Sequence, residues 1–190
     1  MRWIPLLATM LLAAPVAAQN LLINPEFDLD PTIPANGWST TGTGALVWNQ
    51  SIGDPNPPSA RTTQIGTEVM VLSQCVPIVG GASYDFSARS YTYSSIGPAT
   101  NSVSLSVFAT ADCSGAAIEN IATNQQSFPN FGLRERIGYV APAAAQSGRI
   151  ELLSNANGAN NDIAWDNVVV VGPPVPVAAR TWGTIKALYR

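Results

Sequence analysis

Apolar and polar side chains alternate along several short segments of the chain, which is the period of a strand with one buried face. The clearest segment is Ser83–Tyr93. One of its faces carries Tyr84, Phe86 and Ala88, and the other carries Asp85, Arg89, Tyr91 and Tyr93. Ser102–Phe108 alternates as cleanly and is expected to turn three apolar residues inward, namely Val103, Leu105 and Val107. Both segments are therefore predicted to be strands with a core-facing side.

Further apolar segments extend this pattern along the chain. They are Leu21–Ile23, Ala45–Trp48, Val69–Cys75, Leu133–Val140, Arg149–Leu153 and Ile163–Val171, which gives about eight strands in all. Turn-forming residues separate them, as in Asp54–Pro58 and Asn155–Asn161. Short, evenly spaced strands of this kind predict an all-β protein, an antiparallel β-sandwich or jelly roll.

The first 18 residues have the composition of a cleavable secretion signal. Arg2 is followed by the apolar stretch Leu6–Leu12 and then by the small residues of Val16–Ala18, the usual order in a signal peptide. Pro5 and Pro15 limit the apolar stretch, which is too short to span a bilayer. An uncleaved membrane anchor is the alternative. We expect residues 1–18 to be removed and the rest of the protein to be secreted or held at the cell surface.

The remaining chain divides into a domain and a tail. Residues 20–171 are expected to form one jelly-roll binding domain, because their number is sufficient for a single hydrophobic core. Residues 172–180 are proline-rich and predict an extended linker. Residues 181–190 form a basic amphipathic segment, with Trp182, Ile185, Leu188 and Tyr189 on one helical face. This tail is expected to be a tag for sorting or surface-attachment machinery; a free end or a segment packed on the domain is the alternative.

The charge distribution limits the possible partners and chemistry. Residues 21–171 contain all 12 acidic residues and five of the nine basic ones, a balance of −7. An acidic domain without a basic patch argues against nucleic acid and anionic membranes as partners. The chain has no histidine, so Ser-His-Asp and Cys-His catalysis are impossible. A carboxylate pair for glycoside hydrolysis is formally possible, but nothing in the sequence marks one pair, and we expect a protein that is not an enzyme.

Cys75 and Cys113 are the only cysteines. In an exported protein such a pair is most simply interpreted as one disulfide. Two free thiols are an alternative. Metal ligation is another, although two cysteines without any histidine cannot complete an ordinary zinc site from soft ligands alone.

Several segments resemble motifs of carbohydrate-binding modules of the CenC type. Asn20–Asp28 resembles their opening motif, in which an apolar strand leads to Asn, Phe and an acid, and a Gly-Trp pair follows at positions 37 and 38. Trp165–Val168 resembles their closing motif. Leu72–Cys75 and Ala111–Gly115 resemble a cysteine-bearing subset of such domains.

The resemblance implies a galactose-binding-like jelly roll with a structural calcium ion near its termini. By position, Asp28 matches the acid of the opening motif and Asp166 the first aspartate of the closing motif, and Glu26 is a further carboxylate on the opening turn. Asn167 stands where the family typically has a second aspartate. Calcium takes six or more oxygen ligands, which carboxylates, amides and backbone carbonyls can supply. The alternative is that these acids accept hydrogen bonds from turn amides.

The resemblance also implies non-catalytic binding of a glycan or polysaccharide. Arg89, Tyr91 and Tyr93 share the face away from the predicted core, and they are the first candidates, because flat rings cover the apolar face of a sugar at little entropic cost. The alternative is that the tyrosines are ordinary exposed strand residues. Trp38 and Trp48 are further candidates, with core packing as their alternative. The alternative function is a structural or adhesive protein of the cell surface or matrix that uses the same sandwich without a sugar site.

Overall fold

A computed structural model describes residues 19–93, 99–127, 129–158 and 160–173 and shows an antiparallel β-sandwich. The strands within these residues are β1 (Ser39–Gly42), β2 (Ala45–Asn49), β3 (Ser59–Gln64), β4 (Val69–Pro77), β5 (Ser83–Tyr93), β6 (Thr100–Phe108), β7 (Glu119–Ala122), β8 (Gly132–Val140), β9 (Ser147–Asn155) and β10 (Asn161–Val171). Sheet I has the order β1-β4-β9-β6-β7, and sheet II has the order β2-β3-β10-β5-β8. A short 3-10 turn, Pro34–Asn36, precedes β1. The predicted fold class is confirmed.

The core lies between the two sheets and is filled by the predicted inward faces. Burial alternates with a period of two along most of β5, and its inward residues Tyr84, Phe86 and Ala88 are at most 1% exposed. On β6 the inward residues Val103, Leu105 and Val107 are fully buried. The residues between them on β5 therefore lie on the outer face of sheet II, because successive strand side chains point to opposite faces.

The predicted strands differ from the observed ones in two respects. Seven of the predicted strands are present, with ends that differ by at most two residues, whereas β1, β3 and β7 were not predicted. The inward face of β3 carries Ala60, Thr62 and Gln64, all fully buried. Two of the three are polar, so the sequence of β3 lacks an apolar alternation. Leu21–Ile23 is not a regular strand; only its neighbour Asn20 forms an isolated bridge, to Val171.

The two ends of the domain nevertheless lie against each other. Leu21 N–H donates to the Val170 carbonyl at 2.9 Å. Asn20 contributes its side chain as well, donating from Nδ2 to the Val168 carbonyl at 2.8 Å and accepting at Oδ1 from Val170 N–H at 3.0 Å. The opening segment thus follows the end of β10 without a continuous ladder.

A β-bulge in β10 makes this contact possible. The pairing of β10 with β5 shifts between Asp166 and Val169, and Asn167 within the bulge has a φ of 46°. Val168 N–H is then free to donate to the Pro25 carbonyl at 3.0 Å. Asn is one of the few residues with a side chain that adopts positive φ readily. The Asp-Asn pair of the closing motif therefore marks the bulge.

Cys75 and Cys113 form a disulfide, as predicted. The bond joins β4 to the loop after β6, two positions 38 residues apart in sequence. Cross-linking a loop of this length stabilises the folded state by about 4 kcal/mol through the entropy of the unfolded chain.

A buried arginine joins the edge strand β8 to β5 and to the segment that follows β7. Arg134 is 3% exposed, and it donates from Nε to Ser90 Oγ at 3.1 Å and from Nη2 to the Gln126 carbonyl at 2.9 Å. Burial lowers the pKa of Arg134 to about 10, so the side chain remains charged at neutral pH.

No helix within the described residues has the length and apolarity needed to cross a membrane. The predicted signal peptide, the tail at 181–190 and all but the first two residues of the predicted linker lie outside the described residues.

Candidate functional site

Three aromatic side chains meet on the outer face of sheet II. Tyr91 and Tyr93 lie two residues apart on β5, with ring centroids 4.4 Å apart and ring planes inclined by 37°. Phe131, immediately before β8, brings its ring centroid to 5.7 Å from that of Tyr91, with an angle of 51° between the planes. The pairing of Ser90 with Gly132 places the two strand ends side by side. We call Tyr91, Tyr93 and Phe131 the aromatic face.

Polar groups surround Tyr93 at one end of the aromatic face. The Arg61 guanidinium lies 5.3 Å from the Tyr93 ring centroid and pairs with Asp162. Asn49 Nδ2 donates to the Tyr93 hydroxyl at 3.1 Å. Burial raises the pKa of Tyr93, and the Asn49 bond and the Arg61 charge act in the opposite direction. The hydroxyl is therefore neutral at physiological pH and can both donate and accept hydrogen bonds.

The small residue Ala164 lies between these groups in the sheet. It is the cross-strand neighbour of Arg61 on β3 and of Tyr91 on β5, so all three side chains project from the same face. Its methyl group leaves space above β10 for the Arg61 side chain to extend to Tyr93.

A cavity of about 290 Å³ adjoins the other end of the aromatic face. One wall is formed by Tyr91, Asn130 and Phe131, and the opposite wall by Ser51, Ile52, Gly53 and Pro57 of the segment that connects β2 to β3. The cavity thus combines aromatic surface with the Asn130 amide and the Ser51 hydroxyl.

Arg89 stands beside the cavity and pairs with Asp54 from the same connecting segment. Its Nη1 donates to Asp54 Oδ1 at 3.2 Å, and its Nε lies 3.1 Å from Asp54 Oδ2, within ion-pair distance but without a hydrogen bond. Asp54 N–H in turn donates to Asp166 Oδ2 at 2.6 Å. Arg89 thus shares the predicted face with Tyr91 and Tyr93, but its described contacts are to the protein.

Trp38 and Trp48, the other predicted ligand-binding residues, lie elsewhere. Trp38 is 2% exposed, packs against Phe27 with centroids 5.1 Å apart and donates from Nε1 to the Asn24 carbonyl at 3.0 Å. This burial leaves no ring face for a sugar, which corrects the expectation for Trp38. Trp48 is half-buried and donates from Nε1 to the Phe27 carbonyl at 2.8 Å. Both indoles hold the opening segment and are not part of the aromatic face.

The predicted cation-binding acids lie where the opening segment meets β10. Asp166 is 1% exposed, and its Oδ1 accepts from Asn167 N–H at 2.8 Å. The pKa of Asp166 is raised to about 7, chiefly by burial and also by the nearby Glu26 and Asp54 charges, while two amide hydrogen bonds lower it. Burial also raises the pKa of Glu26, with a second contribution from Asp28. Glu26 thus interacts electrostatically with both Asp28 and Asp166.

Whether this region can hold a calcium ion depends on the oxygen atoms that it offers as ligands. In the parts of the chain that the structure describes, no three His, Cys, Asp or Glu side chains converge to hold a metal ion. Asp166 is nevertheless a buried carboxylate with one hydrogen bond on each oxygen, and a carboxylate can accept about four. A cation here would therefore need backbone carbonyl or amide oxygens in addition to Asp166 and Glu26.

The sequence did not mark Phe131, Asn130, Arg61 or the segment that connects β2 to β3 as parts of this site. Asn130 is part of the Pro129-Asn130 turn signal and Phe131 follows it, and neither residue lies in a periodic segment. Arg61 lies on β3, which was not predicted. The pairing of β8 with β5, which apolar alternation does not specify, brings the first two residues to Tyr91.

No protein-family model matches the sequence, and no curated protein is similar to it in sequence. Comparison of folds, in contrast, finds many similar solved structures. The CBM22-1 xylan-binding domain of Paenibacillus barcinonensis Xyn10C has a TM-score of 0.61 at 15% identity, over 86% of this chain and all of that domain.

A family 61 carbohydrate-binding module in complex with β-1,4-galactotriose has a TM-score of 0.58 at 14% identity, over 80% of this chain and 97% of that one. An arabinose-bound α-L-arabinofuranosidase has a TM-score of 0.60 at 13% identity, and there this chain covers only 27% of the enzyme. The fold is thus that of carbohydrate-binding-module β-sandwiches, which also occur as domains of enzymes.

Proposed function

We propose that this protein is a secreted, non-catalytic glycan-binding protein and that its ligand lies on the aromatic face and in the adjoining cavity. The observation that carries the proposal is the cluster of Tyr91, Tyr93 and Phe131 on the outer face of sheet II, beside a cavity of about 290 Å³. Aromatic rings that are held in place and accessible on one side suit the C–H faces of pyranose rings.

Polar groups around the rings complete the requirements of a sugar site. Arg61, Asn49 and Asp162 lie around Tyr93, and Asn130 and Ser51 line the cavity. Sugar hydroxyls both donate and accept, and this set offers both functions. The similar structures include one module whose name specifies xylan and one solved with galactotriose, which supports a glycan as the ligand class.

The shape of the aromatic face favours a single glycan chain over a crystalline surface. A flat crystalline polysaccharide needs coplanar rings, whereas the planes here are inclined by 37° and 51°. Rings inclined in this way can follow a chain whose successive sugars are rotated relative to one another. We therefore propose a soluble polysaccharide or an oligosaccharide as the ligand.

The proposal can be tested by affinity electrophoresis in gels that contain single soluble polysaccharides, together with sedimentation on insoluble crystalline cellulose. The protein is expected to be retarded in at least one gel and to remain in solution with the crystalline material. Tyr93→Ala and Phe131→Ala should abolish the retardation with little change in melting temperature. Ile118→Ala, which removes a side chain 44% exposed and outside the aromatic face, is the matched control. Retention by crystalline cellulose alone would contradict the single-chain proposal.

We also propose a structural calcium ion at Asp166 and Glu26, with Asp28 at the edge of the same group. The support is the buried Asp166 carboxylate, which has one hydrogen bond on each oxygen, because a bound cation would compensate its buried charge. Added calcium should raise the melting temperature and a chelator should lower it, because a ligand that binds only the folded state stabilises it. Equal melting temperatures in both conditions would contradict the calcium site.

One observation favours the adhesive alternative. The edge strand β8 exposes Leu133, Ile137 and Val140, which are 49%, 67% and 61% exposed. An apolar edge strand can pair with another chain. Concentration-dependent self-association that Ile137→Lys removes, without retention on any glycan, would support a structural or adhesive role.

A further inference from the structure

The segment between β2 and β3, Ser51–Pro58, is folded tightly on itself. A side chain at Gly53 would come within 2.2 Å of the Asn56 carbonyl oxygen and 2.7 Å of the Pro58 carbonyl oxygen. Gly53 is therefore required by close packing within the segment. Because Ser51, Ile52, Gly53 and Pro57 line the cavity, the position of this compact segment determines the width of the proposed site.

A single residue of the segment, Asp54, is bonded to the sheet in two ways. Its N–H donates to Asp166 Oδ2 at 2.6 Å, and its carboxylate pairs with the Arg89 guanidinium, which donates from Nη1 to Oδ1 at 3.2 Å. Asp166 and Arg89 are direct cross-strand neighbours on β10 and β5. Asp54 is thus fixed through main chain and side chain to adjacent points on two central strands.

We propose that Asp54 is a positioning residue of the glycan site and that Arg89 acts through Asp54, without direct contact to the ligand. This inference rests on the proposed function. Arg89 lies two residues before Tyr91 on the same face of β5, so the ion pair sets the distance between the Ser51–Pro58 segment and the aromatic face. Together with the Asp54 N–H bond to Asp166, this charge-assisted hydrogen bond holds the segment at two points.

The first test uses Asp54→Asn, which removes the charge that pairs with Arg89 and retains the backbone N–H. Affinity for the glycan should fall by about tenfold, the loss of one charge-assisted contact. Hydrogen exchange at the amides of residues 51–56 should become faster in the protein without glycan. The matched control is Glu151→Gln on the outer face of sheet I. Its Arg149–Glu151 pair has side-chain exposures of 39% and 20%, against 36% and 19% for Arg89–Asp54. The control should change neither the affinity nor the exchange.

The second test separates a positioning role of Arg89 from a ligand contact. If Arg89 acts only through Asp54, the double variant Asp54→Asn/Arg89→Gln binds no more weakly than the weaker of the two single variants. Additive losses of glycan affinity in the double variant would show that Arg89 contacts the glycan. They would overturn the proposal that Arg89 acts only through Asp54. Unchanged exchange in Asp54→Asn would overturn the inference for Asp54, whatever the protein binds. Absence of glycan retention by the unaltered protein, with faster exchange in the variant, would contradict only the proposed function.

Discussion

The side-chain amide of Gln74 holds the main chain of Ile23 through two hydrogen bonds. Ile23 N–H donates to Oε1 at 2.6 Å, and Nε2 donates to the Ile23 carbonyl at 2.9 Å. A side-chain amide has the same donor and acceptor as a peptide group, so Gln74 acts as a strand partner for the opening segment. Gly37 has a φ of 94°, and a Cβ there would come within 2.9 Å of both Gln74 Nε2 and Ile23. This contact explains the glycine of the Gly-Trp pair.

Gln74→Glu is expected to lower the free energy of unfolding by about 2–3 kcal/mol. The change removes the donor to the Ile23 carbonyl and places a charge in a side chain that is only 5% exposed. Denaturant unfolding measures the loss. Gln146→Glu, an exposed position, is the control and should stay within about 0.5 kcal/mol of the unaltered protein. Equal effects of the two changes would show that Gln74 does not fix the opening segment.

Asn167→Ala should destabilise the protein by about 1 kcal/mol, whereas Asn167→Gly should be nearly neutral. The reason is the positive φ of 46° in the β10 bulge, which alanine adopts only with strain and glycine adopts freely. Thermal unfolding of both variants provides the comparison. A loss of similar size in the glycine variant would mean that the Asn167 side chain, and not its backbone conformation, carries the stability.

Asp166 makes the stability of the cation-free protein depend on pH. Its pKa is raised from 3.8 to about 7 in the folded state, so the folded protein binds more protons than the unfolded chain between these values. The free energy of unfolding therefore falls as the pH rises from about 4 to about 7, by on the order of 3 kcal/mol.

The check is denaturant unfolding at pH 5 and pH 8 with a chelator present. The unaltered protein should be less stable at pH 8, and Asp166→Asn should remove most of this difference. Glu26 contributes in the same direction, so a smaller dependence remains in the variant. Parallel pH profiles for the two proteins would contradict a buried carboxylate at this position.

Most of the fold follows from local alternation, and the exceptions have physical causes. β5 and β6 bury one apolar face each, so their sequences specify both the strand and its inward side. β3 buries Thr62, which donates to Ser154 Oγ at 2.8 Å, and a hydrogen-bonded polar interior leaves no apolar period. The opening segment was predicted as a strand because it is apolar, but its partners are Gln74 and the bulged end of β10.

The candidate site was only half predictable for a related reason. Tyr91 and Tyr93 stand out because they are aromatic residues on the outward, more polar face of their strand. Phe131 and Ser51–Pro58 reach them only through the pairing of distant strands, which depends on sheet order and not on local pattern. Trp38 was a candidate for sugar binding because of its flat ring, with core packing as the alternative, and its contact with Phe27 places it in the core.

The measurement that tests the central claim most directly is a glycan-array screen of the protein in parallel with Tyr91→Ala. Tyr91 contacts both other rings of the aromatic face and lines the cavity, so its removal interrupts the whole surface. We predict that the unaltered protein is retained on at least one glycan and that the variant, folded and with a similar melting temperature, loses that signal by tenfold or more. Retention of the variant equal to that of the unaltered protein, or no retention of either, would contradict the account.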